Sequence, residues 1–552
     1  MAATLLSAVI LGCFLLLLLR IGRRERGLPP GPSTVPLLGN LHLLPNAAEM
    51  PFKFMEWSRK YGDIISVKSG SSTMIILSSP RAIKEVVDKQ GWASSSRPVN
   101  YLAGVAAGGY HILFAQDTPQ LRNLKKAIAR FFSLMNSLSR VPVQAAESTQ
   151  LLHELMTQPE NFDASIRRYT HSIAMVRMEA FEKNIADREE DYDLRATSTF
   201  FDLAADASML HRFLHIQLPG VYPPIDLLPV LKYLPERWAP WRAACRRSNS
   251  EMAAFHLHFA SAAEARSAER GESFMDFISG MDLSAEEYDI FSHTGFALVE
   301  AGSDTNSAFV LSLVLVLSIY PEHQERARRE IEAVVGTARL PELADFGHMP
   351  FVEALIREII RIRPSFPIGV PHLATEDIRA SFACQFARDA FPNGVAVVVQ
   401  GLRRAEGRYG HLEYVYVVFA WQTVLIRVPD SVFHSPEIFE EPEVFNPDRF
   451  LKSEHGTRPG MDADFRDNFL FGGGRRICPG QYAARGTMQL TTMRLIWAFR
   501  FGSAVNPKTG QPEFVVMPYP FECAIEPRSN ERRELVEQAF NDSRSLLQRY
   551  EH

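Results

Sequence analysis

The sequence predicts a mainly α-helical fold with a smaller β region, organised as one large domain. Residues 283–320 form one long helical pattern, and residues 145–280 are also mainly helical in pattern. Two short apolar runs at residues 64–67 and 74–77, separated by a polar stretch, predict a β-hairpin. No long Gly/Ser-rich or Pro-rich linker divides the middle of the 552-residue chain, so a single domain is expected.

The composition is that of an ordinary globular protein with a large core. Hydrophobic residues make up 46% of the chain and charged residues 22%. The net charge of −5 gives no indication that nucleic acid is a partner. The five cysteines are scattered and odd in number, which argues against a disulfide framework and for a reducing compartment.

The N-terminal residues predict a membrane anchor. Residues 4–19 are almost entirely apolar, and arginines follow at positions 20, 23, 24 and 26. Because the basic residues follow the apolar run and no cleavage site is evident, an uncleaved span over residues 1–20 is favoured over a signal peptide. The arginines place the rest of the chain in the cytosol. Residues 21–35 are basic and rich in proline, which predicts a stiff hinge.

The chemistry of the chain centres on the stretch Phe471-Gly-Gly-Gly-Arg-Arg-Ile-Cys-Pro-Gly480. Glycines allow the backbone to approach a flat ligand closely. A cysteine thiolate is a strong ligand for haem iron, and arginines suit the haem propionates. A helix is predicted from residue 481, so Cys478 would lie at its N-terminus, where negative charge is stabilised. The alternatives are a buried free cysteine or a cysteine nucleophile paired with a distant histidine.

This stretch resembles the haem-binding signature of the cytochrome P450 family, Phe-x-x-Gly-x-Arg-x-Cys-x-Gly. Phe471, Gly474, Arg476, Cys478 and Gly480 occupy its fixed positions. The resemblance extends over roughly residues 28–527 and implies the cytochrome P450 fold. It also implies haem b as cofactor, with these five residues forming its binding loop and Cys478 as the axial ligand of the iron.

The long helical pattern carries a second point of resemblance. Ser284 and Glu287 form a capping-box pattern at its start. The stretch Glu300-Ala-Gly-Ser-Asp-Thr305 is similar to the family's Ala/Gly-Gly-x-Asp/Glu-Thr motif. The resemblance implies that Thr305 holds water beside the oxygen-binding position and that Asp304 relays protons, so both are predicted catalytic residues. The alternative is a satisfied core carboxylate and a threonine bonded to its own helix.

Two further stretches resemble segments that contact the haem. Leu121-Arg122-Asn-Leu-Lys125 is similar to the family pattern Trp-Arg-x-x-Arg/Lys, which makes Arg122 a predicted propionate ligand, although Leu121 replaces the usual tryptophan. The alternative is a solvated basic helix face. In the turn that ends at His372, the resemblance makes this histidine a second candidate near a propionate. Its alternative is a surface histidine.

A third pair of motifs predicts a structural ion network. Glu358 and Arg361 are three residues apart and therefore share a helix face. Arg449 lies in Phe445-Asn-Pro-Asp-Arg-Phe450. The family joins such a Glu, Arg and Arg behind the haem, and we expect the same of these three residues.

The remaining expectations concern the pocket and the domain boundaries. The resemblance predicts an apolar substrate pocket lined by Phe296, Ala297, Ala301, Phe366, Ile368, Val370 and Met517. The catalytic domain is predicted at residues 36–527 and a helical C-terminal tail at residues 528–552. Residues 378–431 look atypical for the family, which predicts an insertion or a translated intron.

The resulting functional hypothesis is a membrane-anchored haem-thiolate monooxygenase that inserts one oxygen atom of O2 into an apolar small molecule. It would receive electrons from NADPH–cytochrome P450 reductase, with cytochrome b5 as a further candidate donor. The sequence most resembles fungal microsomal members of secondary-metabolite pathways, such as O-methylsterigmatocystin oxidoreductase-like enzymes. That resemblance implies a single-pass protein of the endoplasmic reticulum membrane whose catalytic domain faces the cytosol.

Two alternatives stay open at this point. The first is an O2-independent haem-thiolate isomerase or dehydratase, and the second is an inactive membrane-anchored haem binder. A cationic surface would suit an acidic reductase, and its candidate residues are Lys125, Lys126, Arg130 and Arg475.

Overall fold

The computed structural model describes most of the chain. It covers residues 28–45, 49–109, 111–133, 141–178, 229–265, 281–376, 378–383, 414–419, 424–461, 464–465, 469–502 and 521–547, with scattered positions in 6–25, 216–226 and at 278. The longer helices are α1 Met50–Tyr61, α2 Pro119–Phe131, α3 Val141–Thr157, α4 Phe162–Met178, α5 Pro240–Ala265, α6 Ala285–Ile319, α7 Pro321–Val335, α8 Pro350–Ile362, α9 Gln481–Ala498 and α10 Asn530–Leu547.

Short helical segments connect these elements. They are Leu41–Leu43, Pro80–Ile83, Lys84–Asp88, Gly91–Ser94, Tyr101–Ala106, Pro159–Asn161, Pro229–Tyr233, Glu236–Trp238, Leu343–His348, Pro429–Phe433, Arg449–Lys452, Phe469–Phe471 and Gly474–Arg476. The strands are β1 Ile64–Ser69, β2 Ser72–Leu77, β3 His372–Leu373, β4 Ile378–Ala383, β5 Tyr414–Phe419, β6 Val424–Arg427, β7 Phe499–Phe501 and β8 Ile525–Pro527. The predicted mainly helical fold with a small β region is therefore confirmed.

The largest sheet has the strand order β1-β2-β6-β3. The predicted hairpin forms its edge, with β1 and β2 antiparallel and Ile64 opposite Leu77. Strand β6 runs parallel to β2, and β3 pairs with β6 in antiparallel orientation. Strands β4 and β5 form one separate pair and β7 and β8 another. The sheet therefore places residues near position 425 between residues near position 75 on one side and His372 on the other.

Helix α6 forms the centre of the core. The Ser284 side chain accepts a hydrogen bond from the Glu287 backbone N–H, and the Glu287 carboxylate accepts one from the Ser284 backbone, so the predicted capping box is present. The C-terminal half of α6 is almost fully buried, with Val310 and Val314 inside a cluster that also contains Trp497 of α9. Because this half is apolar all round, it can be stable only inside the domain.

Among the described residues, one helical stretch is long and apolar enough to cross a membrane. It is Ala297–Ile319, of which 78% is buried inside the protein, so it is the core half of α6. Most of the predicted anchor at residues 1–20 lies outside the described residues, and the structure gives no support for a transmembrane helix there. The described residues Leu6, Ile10, Leu11 and Leu16 are exposed.

The segment predicted to be atypical, residues 378–431, contains regular elements at both ends. Strand β4 pairs with β5, so that Ile378 lies opposite Phe419. Strand β6 lies inside the main sheet, and the helical segment Pro429–Phe433 follows it. Residues 384–413 and 420–423 lie outside the described residues. The insertion therefore stays a prediction, and it concerns the residues between β4 and β5.

Helix α10, in the predicted C-terminal tail, packs against the domain. The Phe540 ring stacks on His153 of α3 at a centroid distance of 4.1 Å. Val536 is fully buried, and Arg532 bonds the Trp497 carbonyl and the Glu332 carboxylate. The tail thus covers one end of α9, whose other end follows Cys478.

The predicted ion network lies between α8 and the segment Arg449–Lys452. Glu358 is 0% exposed and Arg361 is 1% exposed. Arg361 Nε donates to Glu358 Oε2 at 2.8 Å, and Arg449 Nε lies 3.1 Å from the same oxygen. Arg361 also donates to the Phe433 carbonyl at 2.7 Å, and the Asn446 backbone N–H donates to Glu358 at 2.8 Å. The structure thus brings together the three residues that the resemblance groups, and it ties α8 to the chain that leads to Cys478.

Replacing Glu358 tests this network. Glu358→Ala leaves two buried guanidinium groups without their carboxylate, and we expect a loss of about 3–5 kcal/mol in the free energy of unfolding. Chemical denaturation measures the loss, and Glu353→Ala is the matched control, because Glu353 is exposed on the same helix. Equal stability of the two variants would contradict a network that stabilises the fold.

Candidate active site

The loop that carries Cys478 is held by backbone contacts. The Cys478 backbone N–H donates to the Phe471 carbonyl at 2.8 Å, which closes the loop. Gly474 has φ +56°, and its backbone N–H donates to Asp88 Oδ1 at 2.9 Å. A Cβ on Gly474 would lie 2.2 Å from the Val87 carbonyl oxygen, so only glycine fits here. The signature glycine is therefore required by a close backbone approach.

The Cys478 side chain stands just before helix α9, as the sequence predicts. Gly480 is the N-cap residue of this helix, which begins at Gln481. Burial raises the pKa of the Cys478 thiol to about 11, although a hydrogen bond from the Gly480 backbone favours the thiolate. Coordination of a metal ion deprotonates such a thiol outright. The site thus offers one soft ligand, which becomes a thiolate when a metal binds.

Helix α6 presents a small polar stretch at its middle. Ala301 is exposed, whereas Ala297 and Ser303 on the same helix are buried. Thr305 Oγ1 donates to the Ala301 carbonyl at 2.7 Å. The helix runs through this stretch without interruption, and a Cβ on Gly302 would lie 3.1 Å from the Ala174 Cβ. The glycine thus permits close packing of α6 against α4.

Asp304 has a strongly shifted titration. Burial raises its pKa to about 7, the neighbouring Glu300 raises it further, and Arg167 opposes them. A carboxyl group that titrates near neutral pH can both accept and deliver a proton. Glu300 itself is paired with His111, whose Nε2 lies 2.6 Å from Glu300 Oε2. The geometry is therefore compatible with proton relay at Asp304.

Two buried basic side chains, Arg97 and His372, and the half-buried Arg476 converge beside the cysteine loop. Arg476 donates from Nε to the Ser95 carbonyl at 2.7 Å and from Nη2 to the Ala115 carbonyl at 2.6 Å. Arg97 donates from Nη1 to the Pro371 carbonyl at 2.7 Å. His372 Nδ1 lies 2.7 Å from the Ser94 carbonyl, so Nδ1 carries the proton. We call Arg97, His372 and Arg476 the basic cluster.

The electrostatics of the basic cluster call for an anion. Burial lowers the pKa of Arg97 well below its ordinary value, and the charge of Arg476 lowers it further. Burial also lowers the pKa of Arg476 to about 10, against the opposing effect of Asp117. Buried arginines are tolerated when a counter-ion is close. Two carboxylates on the edge of a haem held by Cys478 would supply that charge, so the residues present fit this group.

The structure does not bring Arg122 to the basic cluster, and its binding to a propionate stays a prediction. Its side chain is 53% exposed and bonds the Asp117 carboxylate at 3.2 Å, on the outer face of α2. Lys125, one turn further on, is half-buried and bonds the Arg475 carbonyl. Burial lowers the pKa of Lys125 to about 8, and the charge of Arg476 lowers it further. Lys125 is therefore the residue of this motif that faces the basic cluster.

The predicted pocket residues do not all lie together. Ala297, Ala301 and Val370 lie on or beside the elements that carry Thr305 and Arg97, and Phe366 is half-buried. Ile368 is different, because it packs in the cluster of α1 and the main sheet with Phe54 and Trp57. Ile368 therefore packs away from the other predicted pocket residues. The Phe296 side chain and Met517 lie outside the described residues.

Sequence reasoning missed two features of the site. Arg97 follows a run of serines, and no spacing marked it as a partner of Arg476 and His372. His111 and Glu300 are 189 positions apart, and their pairing became visible only in the fold. His372 was one of two candidates, and its burial excludes the surface alternative. For Arg97, the one available signal was an arginine flanked by small residues ahead of a proline.

The fold and the site define a haem-thiolate type of protein, and comparisons with known proteins identify the family. The cytochrome P450 family model matches residues 29–382 and 418–525, passing over 383–417. A cytochrome P450 monooxygenase of Armillaria gallica is 33% identical over 97% of this chain and 96% of its own length. Cytochrome P450 monooxygenase patI of Aspergillus clavatus is 30% identical over 99% and 97%, and atE of Aspergillus terreus is 30% identical over 99% and 96%.

The chain belongs to the cytochrome P450 family. The family and the enzyme class that the sequence predicts, a cytochrome P450 monooxygenase, are thereby confirmed. Membership implies haem with a thiolate ligand to iron, a redox partner and a small-molecule substrate.

The shifted pKa of Asp304 predicts a specific pH dependence of stability. Because its folded pKa is about 7, above the ordinary 3.8, its stabilising effect is complete below the ordinary value and is lost as the pH rises through about 7. The thermal midpoint of the wild type should therefore fall more than that of Asp304→Asn between about pH 5 and about pH 8. Asp542→Asn, at an exposed position of α10, is the control and should follow the wild type. Equal slopes for wild type and Asp304→Asn would contradict the buried carboxyl.

Proposed function

We propose that the protein is a membrane-anchored haem b monooxygenase that uses NADPH-derived electrons to insert one atom of O2 into an apolar small molecule. The observation that carries the proposal is the way in which residues 111–115 connect the two halves of the site. Arg476, two residues before the cysteine, donates to the carbonyls of Ile112 and Ala115. His111 contacts Glu300 of α6, one turn before Asp304.

In this proposal Cys478 would supply the thiolate ligand of the haem iron, and the basic cluster would hold the propionates. The haem supplies O2 binding and activation when it is bound. The Thr305 hydroxyl would position water, and the Asp304 carboxyl would accept and pass on protons for the reduction of oxygen. The raised pKa of Asp304 suits this role, because the group is partly protonated near neutral pH. Phe471, Gly474 and Gly480 shape the loop around the ligand.

We propose an apolar substrate from fungal secondary metabolism. Small apolar side chains such as Ala297, Ala301 and Val370 accompany the polar stretch of α6, and they offer no charged group to a ligand. Relatives named as cytochrome P450 monooxygenases in several fungi support the general class. Within this class, the pair Asp304 and Thr305 favours oxygen chemistry over an isomerase or dehydratase, since protons are needed to reduce O2.

We also propose that residues 1–20 anchor the chain in the endoplasmic reticulum membrane, with the domain in the cytosol. The exposed Leu6, Ile10, Leu11 and Leu16 lie at described positions of an apolar segment, and exposed leucines favour a lipid environment. Deletion of residues 1–20 should move the protein from the membrane fraction to the supernatant. Retention of the shortened chain in the membrane would contradict this anchor.

The reductase is proposed to dock near the N-terminal side of α9. Lys126, Arg130 and Arg475 are exposed there, whereas Lys125 is half-buried. An acidic reductase surface, or cytochrome b5, would be attracted by this charge. The charge reversal Lys126→Glu should slow NADPH-driven reduction, most strongly at low ionic strength. A reduction rate that is unchanged at every salt concentration would argue against docking at this surface.

Turnover with labelled oxygen tests the proposed reaction. Membranes containing the chain and NADPH–cytochrome P450 reductase are offered a panel of apolar compounds under isotopically labelled O2. We expect a product with one labelled oxygen atom, formed only with NADPH. Thr305→Ala should consume NADPH but release more peroxide per product, and Thr157→Ala, at the end of α3, serves as the control. Product formation without NADPH and O2 would favour the isomerase alternative.

A further inference from the structure

Arg427 is a buried arginine that none of the motifs includes. It is the last residue of strand β6, opposite Leu77 in the main sheet, and it is 9% exposed. A charged residue at the end of an inner strand is costly to bury unless its guanidinium finds partners. Its position must therefore be explained by what its side chain reaches.

Two glycine turns leave space for this side chain. A Cβ on Gly369 would lie 3.0 Å from Arg427 Cγ and 3.2 Å from Nε, and a Cβ on Gly472 would lie 3.2 Å from Nη2. Gly369 has φ +58° and Gly472 has φ +88°, so both have backbones that favour glycine. The aliphatic part of the Arg427 side chain thus passes the turn before His372. Its guanidinium ends beside Gly472 in the cysteine loop.

The guanidinium of Arg427 lies within electrostatic reach of the basic cluster. Its charge is among the causes that lower the pKa of both Arg97 and His372, after the larger effect of burial. The cluster and Arg427 together therefore hold two buried arginines, Arg97 and Arg427, and the half-buried Arg476. The Asp117 carboxylate raises the pKa of Arg476, but this carboxylate is already paired with Arg122.

The hydrogen bonding of Arg427 is incomplete. Within the part of the chain that the structure describes, its buried Nε–H has no hydrogen-bond acceptor. Arg97 and Arg476 differ in this respect, since each donates to backbone carbonyls. A buried N–H without an acceptor costs about 1–3 kcal/mol, so an acceptor from outside the chain would remove a penalty.

We infer that Arg427 is an additional ligand of the haem, donating to a propionate from strand β6. The inference rests on the proposed binding of haem by Cys478. A carboxylate matches both the planar donor pattern of arginine and the uncompensated charge of the cluster. A cation at this edge also favours the reduced iron, which carries one positive charge fewer. Arg427 should therefore both slow haem release and raise the reduction potential.

The test compares Arg427→Met and Arg427→Lys with the wild type as haem-loaded, full-length proteins. Haem release is followed by transfer to apomyoglobin, and the midpoint potential is measured by spectroelectrochemistry. We expect Arg427→Met to release haem at least about tenfold faster, as for the loss of one charged hydrogen bond, and to have a lower midpoint potential. Arg427→Lys keeps the charge but loses the planar fork, so its midpoint potential should stay closer to the wild type.

Arg528→Met is the matched control. Arg528 is a half-buried arginine whose pKa burial also lowers to about 10, but it donates to the Ile496 carbonyl, away from the cluster. Its replacement should change neither the haem release rate nor the midpoint potential. If Arg427→Met accumulates too little haem protein, the inference is tested by the haem release rate of Arg427→Lys, which should be faster than that of the wild type.

The outcomes separate this inference from the proposed function. Wild-type release and wild-type potential in either Arg427 variant would overturn the role of Arg427 and leave the haem-thiolate assignment intact. A wild-type chain that binds no haem would overturn the proposed function itself. For Arg427→Met, which removes the charge, a shift in release without a shift in potential would also contradict the inference, because it would indicate a purely structural role.

Discussion

The site depends on the backbone path between Phe471 and Gly480. The Cys478 N–H bonds the Phe471 carbonyl, and Gly474 passes so close to the Val87 carbonyl that no side chain fits there. These contacts fix the loop that carries the thiol just before α9 begins at Gln481. Arg476 then fastens the loop to residues 95–115 through three carbonyls. Our proposals about the cofactor all depend on the position in which this loop holds the Cys478 thiol.

Charge is arranged around the loop in two contrasting ways. The network of Glu358, Arg361 and Arg449 pairs its charges internally and is saturated by backbone groups, which suits a structural role. The basic cluster bonds backbone carbonyls but, among the described residues, no carboxylate, and the charge of Arg476 lowers the pKa of Arg97. A network whose charges are already paired stabilises the fold. A cluster of basic groups that lacks an anion instead stabilises the complex with an anionic ligand. The same type of residue thus serves different functions according to what surrounds it.

The sequence predicted those parts in which a short motif determines the geometry. The capping box began α6 at the expected residue, the loop of Cys478 led into α9, and residues three apart in α8 shared a face. Features that depend on sheet order and side-chain phase could not be predicted. Arg427 reaches the cysteine loop from strand β6, and Arg97 bonds the Val370 and Pro371 carbonyls just before β3. Arg122 was assigned to a propionate, and Lys125 was not, because the motif did not reveal which face of α2 points inward.

The central claim is that Cys478 holds haem iron as a thiolate, and the reduced carbon monoxide difference spectrum tests it most directly. Membranes that contain the full chain are compared with the Cys478→Ala variant. Cys245→Ala serves as a second control, because this cysteine is buried in a different cluster and its thiol pKa is also raised to about 11. The account predicts a red-shifted Soret band in the wild type and in Cys245→Ala, and its loss in Cys478→Ala. An unshifted Soret band in the wild type, or a red-shifted band that survives in Cys478→Ala, would contradict it.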